Sequence, residues 1–217
     1  MVRYARNYAL AQRSDEQTQR RLVVRVIAFN GSPRKSGNTA TLVEAVLRGA
    51  ASKGADTQLV HLNELNMIGC QGCRACKKDP ARCAVEDDLS PLLEQMKECD
   101  AIVLGSPIYW FRVSAQLKTL IDRFYCFMGE ETNTETGEKT PYFAFPTGKK
   151  FVFVTSQGDE DPELYRPTLD WLSLVATVMS AGSTEFITHC GSGDDRDSAR
   201  NNPALIARAE SVGAALV

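Results

Sequence analysis

Cys70, Cys73, Cys76 and Cys83 follow one another as C-x2-C-x2-C-x6-C, while the other three of the seven cysteines, Cys99, Cys126 and Cys190, stand singly. Three closely spaced thiolates can converge on one small object, and compact all-thiolate ligation is the chemistry of iron–sulfur clusters. A zinc ion held by all four thiolates is a second option, although this run crowds three ligands more than the paired C-x2-C knuckles usual for zinc. A loop without any ligand is the third. Lys77, Lys78 and Arg82 suit solvated positions, and they can also soften the charge of a thiolate cluster or receive an acidic electron carrier. The single cysteines read as small core or surface residues. His61 and His189, the two histidines, each end a predicted strand and offer no His-rich metal site.

A second stretch suits an anion. Asn30-Gly31-Ser32-Pro33-Arg34-Lys35-Ser36-Gly37-Asn38-Thr39 runs from an apolar strand pattern into a helical one. The hydroxyls of Ser32, Ser36 and Thr39, the Asn38 amide and backbone N–H groups at a helix start can donate to a dianionic phosphate, and the helix dipole adds to them. Arg34 and Lys35 can supply countercharge. The stretch matches neither a Walker A loop nor G-x-G-x-x-G. A polar turn whose Ser, Gly and Asn only cap the helix is the competing reading. The third stretch, Ser106-Pro107-Ile108-Tyr109-Trp110-Phe111-Arg112, places three consecutive aromatics after a strand. Aromatic faces stack on flat ligands, and the same rings also suit a helix cover or a subunit contact. Thr155-Ser156-Gln157-Gly158 closes the next strand. Asp87 and Asp88, with Ser90, precede a helix predicted to start near Pro91, where acidic residues assist capping rather than form an acid/base pair.

These stretches are positioned by an alternation of short β-like runs and helical patterns, the signature of an α/β protein with a parallel sheet. Residues 22–30, 101–105 and 151–155 are nearly continuous apolar runs, as inner strands require. Residues 57–62 and 184–189 mix polar with apolar positions and suit exposed edges. Leu42, Val43, Val46, Leu47 and Ala50 recur at helical spacing before a stop at Gly54, as do Leu117, Leu120, Ile121 and Phe124, and Leu172, Val175, Ala176 and Met179; a last helix opens at Pro203. Right-handed crossovers then give five parallel strands in the order 2-1-3-4-5, a flavodoxin-like three-layer sandwich. The topological switch point lies between strands one and three, and ligands bind there, beyond the carboxyl ends of the strands.

The 217 residues, 43% hydrophobic and 24% charged, suit one domain over 22–217, carrying a cysteine-rich loop at 70–83 and a polar insertion at 129–149. The insertion is too polar for core and, with Tyr142, Phe143 and Phe145, reads as a lid or a dimer contact. A net charge of -2 without a basic stripe argues against nucleic acid. No run is apolar and long enough for a bilayer. Residues 1–21, rich in Arg and Gln, lack the pattern of a secretory signal and read as an arm. A cytoplasmic setting is therefore expected, where thiols stay reduced and serve metal or redox chemistry.

Gly31-Ser32-Pro33-Arg34 through Ser36-Gly37-Asn38-Thr39, paired with Ser106-Pro107-Ile108-Tyr109-Trp110, resembles the flavodoxin-fold NAD(P)H-dependent FMN reductase family. The cysteine run after the second strand resembles that family's iron–sulfur flavoprotein branch. The resemblance spans about residues 21–155. It departs in the N-terminal arm, in the polar insertion, and in the lack of the Pro that follows the last cysteine of bacterial ferredoxin runs. It implies an FMN phosphate held by Ser32, Arg34, Ser36, Gly37, Asn38 and Thr39. Pro107, Ile108, Tyr109 and Trp110 would border the isoalloxazine ring, with Thr155, Ser156, Gln157 and Gly158 at its far edge. No catalytic side chain is implied, because the flavin supplies the chemistry while the protein positions it. The resemblance further implies a 4Fe-4S cluster on Cys70, Cys73, Cys76 and Cys83, NAD(P)H as a co-substrate, a ferredoxin-like electron carrier as a partner, and a homo-oligomer, dimer or tetramer. A cluster-free NAD(P)H-dependent FMN or quinone reductase is the alternative, and a non-enzymatic flavin- or metal-binding module a second one.

Overall fold

The structure, a computed structural model, describes residues 23–78 and 82–217; the arm expected at residues 1–21 lies outside them. Five parallel strands form the sheet: β1 (Arg25–Asn30), β2 (Asp56–His61), β3 (Ala101–Tyr109), β7 (Lys150–Ser156) and β8 (Ser183–His189). Their spatial order is β2-β1-β3-β7-β8, the flavodoxin-like order expected from the pattern of apolar runs. A short strand, β4 (Arg112–Val113), folds back antiparallel on the end of β3, and β5 (Met128–Thr132) pairs with β6 (Lys139–Phe143) as a separate hairpin.

Side chains alternate across the sheet and so build two cores. Ile27, Phe29, Ile102, Leu104, Phe151 and Phe153 face α2 (Leu89–Glu98), α3 (Ala115–Arg123) and α4 (Arg166–Val178). Val26, Ala28, Val103, Val152 and Val154 face α1 (Asn38–Ala51) and α5 (Pro203–Ala214). Each fully buried side chain of this kind contributes about 1.5–3 kcal/mol of burial free energy. The α1–α5 contact is backbone to backbone. A Cβ added at Gly49 would fall 1.9 Å from the Glu210 carbonyl oxygen, and one at Gly213 would fall 1.9 Å from that of Val46. Only glycine permits so close an approach.

Two expectations change. Residues 106–109 are not loop: β3 continues to Tyr109, and a two-residue turn at Trp110-Phe111 returns the chain into β4. The insertion is not wholly outside the core either. Phe145 is 3% exposed and its ring centroid lies 4.6 Å from that of Phe127, so the apolar feet of the β5–β6 hairpin are buried while its polar tip is exposed.

Candidate functional site

The parallel register brings the carboxyl ends of all five strands to one edge. Asn30 stands beside His61 and Gly105, Pro107 beside Ser156, and Ser156 beside His189. Everything proposed above as a ligand contact leaves the sheet here.

The loop 31–37 is pinned from below. The Gly31 N–H donates to the Gly105 carbonyl at 2.8 Å, and Ser114 Oγ donates to the Gly31 carbonyl at 2.7 Å. A Cβ at Gly31 would lie 2.8 Å from Leu117 Cβ, which is why glycine stands there. The Ser32 N–H bonds to Asn30 Oδ1 at 3.0 Å, and Ser32 Oγ accepts from the Arg34 N–H at 3.1 Å. Arg34 and Ser36 are exposed, whereas Lys35 pairs with Glu64. Helix α1 begins behind Gly37 with no side-chain cap and no acidic residue in its first turn. Its leading N–H groups and positive dipole end therefore present the chemistry an anion needs.

Several of the side chains read as phosphate or ring contacts are engaged within the fold. Asn38 Nδ2 donates to the Asp195 carbonyl at 2.7 Å and its Oδ1 accepts from the Ala199 N–H at 2.9 Å. Thr39 Oγ1 and Ser156 Oγ share a hydrogen bond of 2.7 Å. Thr155 Oγ1 donates to Thr188 Oγ1 at 3.0 Å, and Gln157 Nε2 donates to the carbonyls of Asp159 and Asp161. These groups fasten three loops to each other; Arg34, Ser36 and Gly158 are exposed at the open edge, while Ser32 and Gly37 are buried behind it.

On the other flank, Pro107 is buried, Ile108 half-buried and Tyr109 exposed. Trp110 is 92% exposed. Trp110 and Phe111 take φ of 46° and 66°, the left-handed pair that a tight hairpin requires and that Gly and Asn normally supply. The turn is held by the Phe111 carbonyl, which accepts from Thr168 Oγ1 at 2.6 Å and from Arg112 Nη1 at 2.9 Å, and by the Phe111 ring against Tyr165. A strained, anchored, solvent-facing aromatic tip suits contact with a planar molecule.

The cysteine loop follows β2. Gly72 and Arg74 take left-handed φ of 63° and 59°, bending the chain twice between Cys70 and Cys76. All four cysteines are free thiols; Cys70 and Cys73 are exposed, Cys83 is half-buried and Cys76 buried. Burial pushes the Cys76 thiol up; Lys77 opposes this, and the nearby Cys83, Cys73 and Cys70 add to it. Among the described residues no group of three or more His, Cys, Asp or Glu side chains is arranged to hold a metal ion. The donor set nonetheless fits an iron–sulfur core in number, element and reduced state. Cys83 also borders a groove of about 880 Å³ together with Arg82, Glu86, Asp87, Ser90 and Lys97.

The grip on this loop comes from Arg123 and Arg74, which the sequence does not single out, together with Asp87 and with Lys77, which is bonded to backbone carbonyls rather than solvated as expected. Arg123, 1% exposed, donates from Nε to Cys83 Sγ at 3.2 Å, from Nη1 to Asp87 Oδ2 at 2.7 Å and to the Ile68 carbonyl at 2.9 Å, and from Nη2 to the Val85 carbonyl at 3.1 Å. Burial disfavours the Asp87 carboxylate, but bonds from Arg123 and the N–H groups of Ile68 and Leu89 outweigh it and hold its pKa below the ordinary 3.8. Lys77 Nζ reaches the Tyr125 carbonyl at 2.9 Å and that of Met128, and Arg74 pairs with Glu130 at 3.3 Å. A charged residue following the apolar positions Leu117, Leu120 and Ile121 in α3 was the available signal for Arg123, yet it reads equally as an ordinary basic helix end.

Order of strands, uncapped α1 terminus and aromatic hairpin define a flavodoxin-like α/β protein with a ligand edge at the switch point. The chain belongs to the NADPH-dependent FMN reductase family, whose sequence model matches residues 24–162. It is 44% identical over 100 residues to an iron–sulfur flavoprotein of Methanocaldococcus jannaschii, covering 46% of this chain and 51% of the relative. It is 33% identical over 100 residues to an iron–sulfur flavoprotein of Methanosarcina thermophila, covering 46% and 52%. The chain thus spans about half the length of the iron–sulfur flavoproteins it matches. A putative NAD(P)H-dependent FMN-containing oxidoreductase of Bacillus subtilis is 26% identical over 141 residues, 65% of this chain and 70% of that one. In fold, the chain resembles an NAD(P)H:quinone oxidoreductase from Methanothermobacter marburgensis, with a TM-score of 0.66 at 17% identity over 89% of this chain and 97% of the other.

Proposed function

We propose that this chain is an FMN-dependent oxidoreductase that moves electrons between a reduced donor, NAD(P)H or a ferredoxin-like carrier, and a 4Fe-4S cluster on Cys70, Cys73, Cys76 and Cys83. The observation that carries the reading is one of placement. The cysteine loop, the uncapped α1 terminus and the aromatic hairpin leave the same sheet edge. FMN would supply hydride and single-electron chemistry. The protein's part is to bind and orient. The N–H groups at the start of α1, with Ser32, Ser36 and Arg34, receive the phosphate. Pro107, Ile108, Tyr109 and Trp110 wall the ring, and the backbone of 155–158 meets its far edge. The family supports FMN, and the names of the relatives motivate the cluster. Association into a dimer or tetramer through the exposed aromatic hairpin, in a reducing cytoplasm, completes the proposal.

Iron, acid-labile sulfide and FMN per chain, measured on protein purified without oxygen, test it. About four irons and four sulfides beside one FMN are expected. FMN without iron after anaerobic reconstitution would leave a cluster-free NAD(P)H-dependent reductase of FMN or quinones. What supports that second reading is the similarity to a putative NAD(P)H-dependent FMN-containing oxidoreductase of Bacillus subtilis. Steady NAD(P)H oxidation by iron-free protein would establish it.

A further inference from the structure

Arg123 touches both ends of the cysteine loop at once. The Ile68 carbonyl lies just before Cys70, and Cys83, Val85 and Asp87 close the loop; all four accept from the one guanidinium. The Arg123 and Asp87 side chains are 0% and 8% exposed, so this is a buried ion pair. Such a pair is expensive to desolvate and gives no assured gain in stability over an apolar replacement. A purely structural need would be met more simply by hydrocarbon. What hydrocarbon cannot do is aim an N–H at a sulfur.

The contact with Cys83 is of that kind. Nε and the two Nη nitrogens form a planar fork, and with Asp87 and two carbonyls holding the Nη groups, the Nε–H has one direction left, toward Cys83 Sγ at 3.2 Å. Cys83 stands six residues beyond the compact run of the other three cysteines and is the one whose position is least constrained by spacing. The segment just after Arg123 grips the same loop again through Lys77 on the Tyr125 carbonyl. The loop is therefore oriented by α3 and its extension.

We propose that Arg123 is a positioning residue for the cluster: its Nε–H orients Cys83 as the fourth thiolate, and its charge and N–H···S bond favour the reduced form. The inference rests on the reading that the four cysteines hold a cluster. Hydrogen bonds and positive charge at cluster sulfurs stabilise the state with the extra electron and raise the reduction potential. Thiolate ligation itself is left to the cysteines.

The experiment is an anaerobic redox titration of the full chain, followed by electron paramagnetic resonance, comparing the protein with Arg123→Lys. Lysine retains a charge for Asp87 but has a single nitrogen and no fork to reach Cys83 as well. The expected result is a cluster with altered resonance positions and a lower midpoint potential. At fixed potential the oxidised-to-reduced ratio should rise at least tenfold, 59 mV for a one-electron couple. Lys78→Met, which removes an exposed charge on the same loop and leaves its grip intact, should shift the ratio less. If Arg123→Lys does not fold, judged by FMN content and calorimetry, the double variant Arg123→Met, Asp87→Leu removes the buried pair together and takes the same titration. A variant with full iron content and an unchanged potential and spectrum overturns the inference while the cluster reading stands. Unsubstituted protein that takes up no iron on reconstitution overturns both.

Discussion

Asn38 and Asp195 lie 157 residues apart and are joined by a 2.7 Å hydrogen bond from the Asn38 side-chain amide to the Asp195 carbonyl. The same side chain accepts from the buried Ala199 N–H, so the first residue of α1 clamps the segment between β8 and α5 against the loop 31–37. Asn38→Ala strands the buried Ala199 N–H and should cost about 1–3 kcal/mol of stability, with FMN binding weakened as the loop loosens. Urea unfolding and fluorescence titration with FMN measure both. Weakened binding at unchanged stability would instead make Asn38 a direct phosphate contact.

The β5–β6 hairpin makes a separate case, because its two parts behave differently. Phe145 fills core against Phe127 and Phe143, and Phe145→Ala is expected to cost about 3–5 kcal/mol. Glu135, exposed at the polar tip, should tolerate Ala within about 0.5 kcal/mol. Chemical denaturation of the two variants decides it. Equal, small effects would mean that the hairpin is held on without Phe145.

What the sequence makes legible here follows contact range. The inner strands are apolar because both faces are covered, and their runs give the sheet order; the cysteines and the loop 31–39 are contiguous, so their chemistry can be read locally. Asn38, Thr39 and Gln157 are different. Each is a polar side chain at a loop, a type equally suited to a ligand or to a fold contact, and for Asn38 and Thr39 the deciding partner is distant: Asp195, or Ser156 117 residues away. Arg123 is hidden for the same reason. Its partners Cys83 and Asp87 are brought to it by the packing of the cysteine loop on α3. The left-handed turn at Trp110-Phe111 carries no turn residue at all, so residues 106–112 read as loop where the backbone is strand and hairpin. Phe143 and Phe145 read as a lid or dimer contact because they sit in a stretch, 129–149, whose average polarity is too high for core, whereas Phe145 packs into the core against Phe127.

His189 gives stability a dependence on pH. Its ring is buried, with Nε2 2.8 Å from Ser198 Oγ, and burial lowers its pKa below the ordinary 6.5, Asp195 opposing in part. The unfolded chain therefore binds a proton near 6.5 that the folded one refuses. This contribution is complete above pH 6.5 and is lost as pH falls from there through the lower folded value. Asp87, also depressed, adds its own loss only below about its ordinary 3.8. Denaturant melts from pH 8 to 5 should show the decline in the protein and a flatter profile in His189→Gln. Parallel profiles would mean that another group titrates.

Trp110 tests whether the aromatic tip is kept for binding rather than for the fold. It is nearly fully exposed, so replacing it forfeits little packing, and its φ of 46° is a region that Asn accepts more readily than bulky residues. Left-handed backbone costs an ordinary L-residue about 1–2 kcal/mol, and Trp110→Asn should recover about 1 kcal/mol of it, raising the melting temperature. A ring wall built from Tyr109 and Trp110 requires that the same substitution weaken FMN binding. The two effects must therefore run in opposite directions, stability up and flavin affinity down, when calorimetry and FMN titration are made on one preparation. A variant that is more stable and binds FMN unchanged would remove Trp110 from the flavin site and leave the exposed ring to a contact between copies of the chain, read directly from the concentration dependence of its sedimentation.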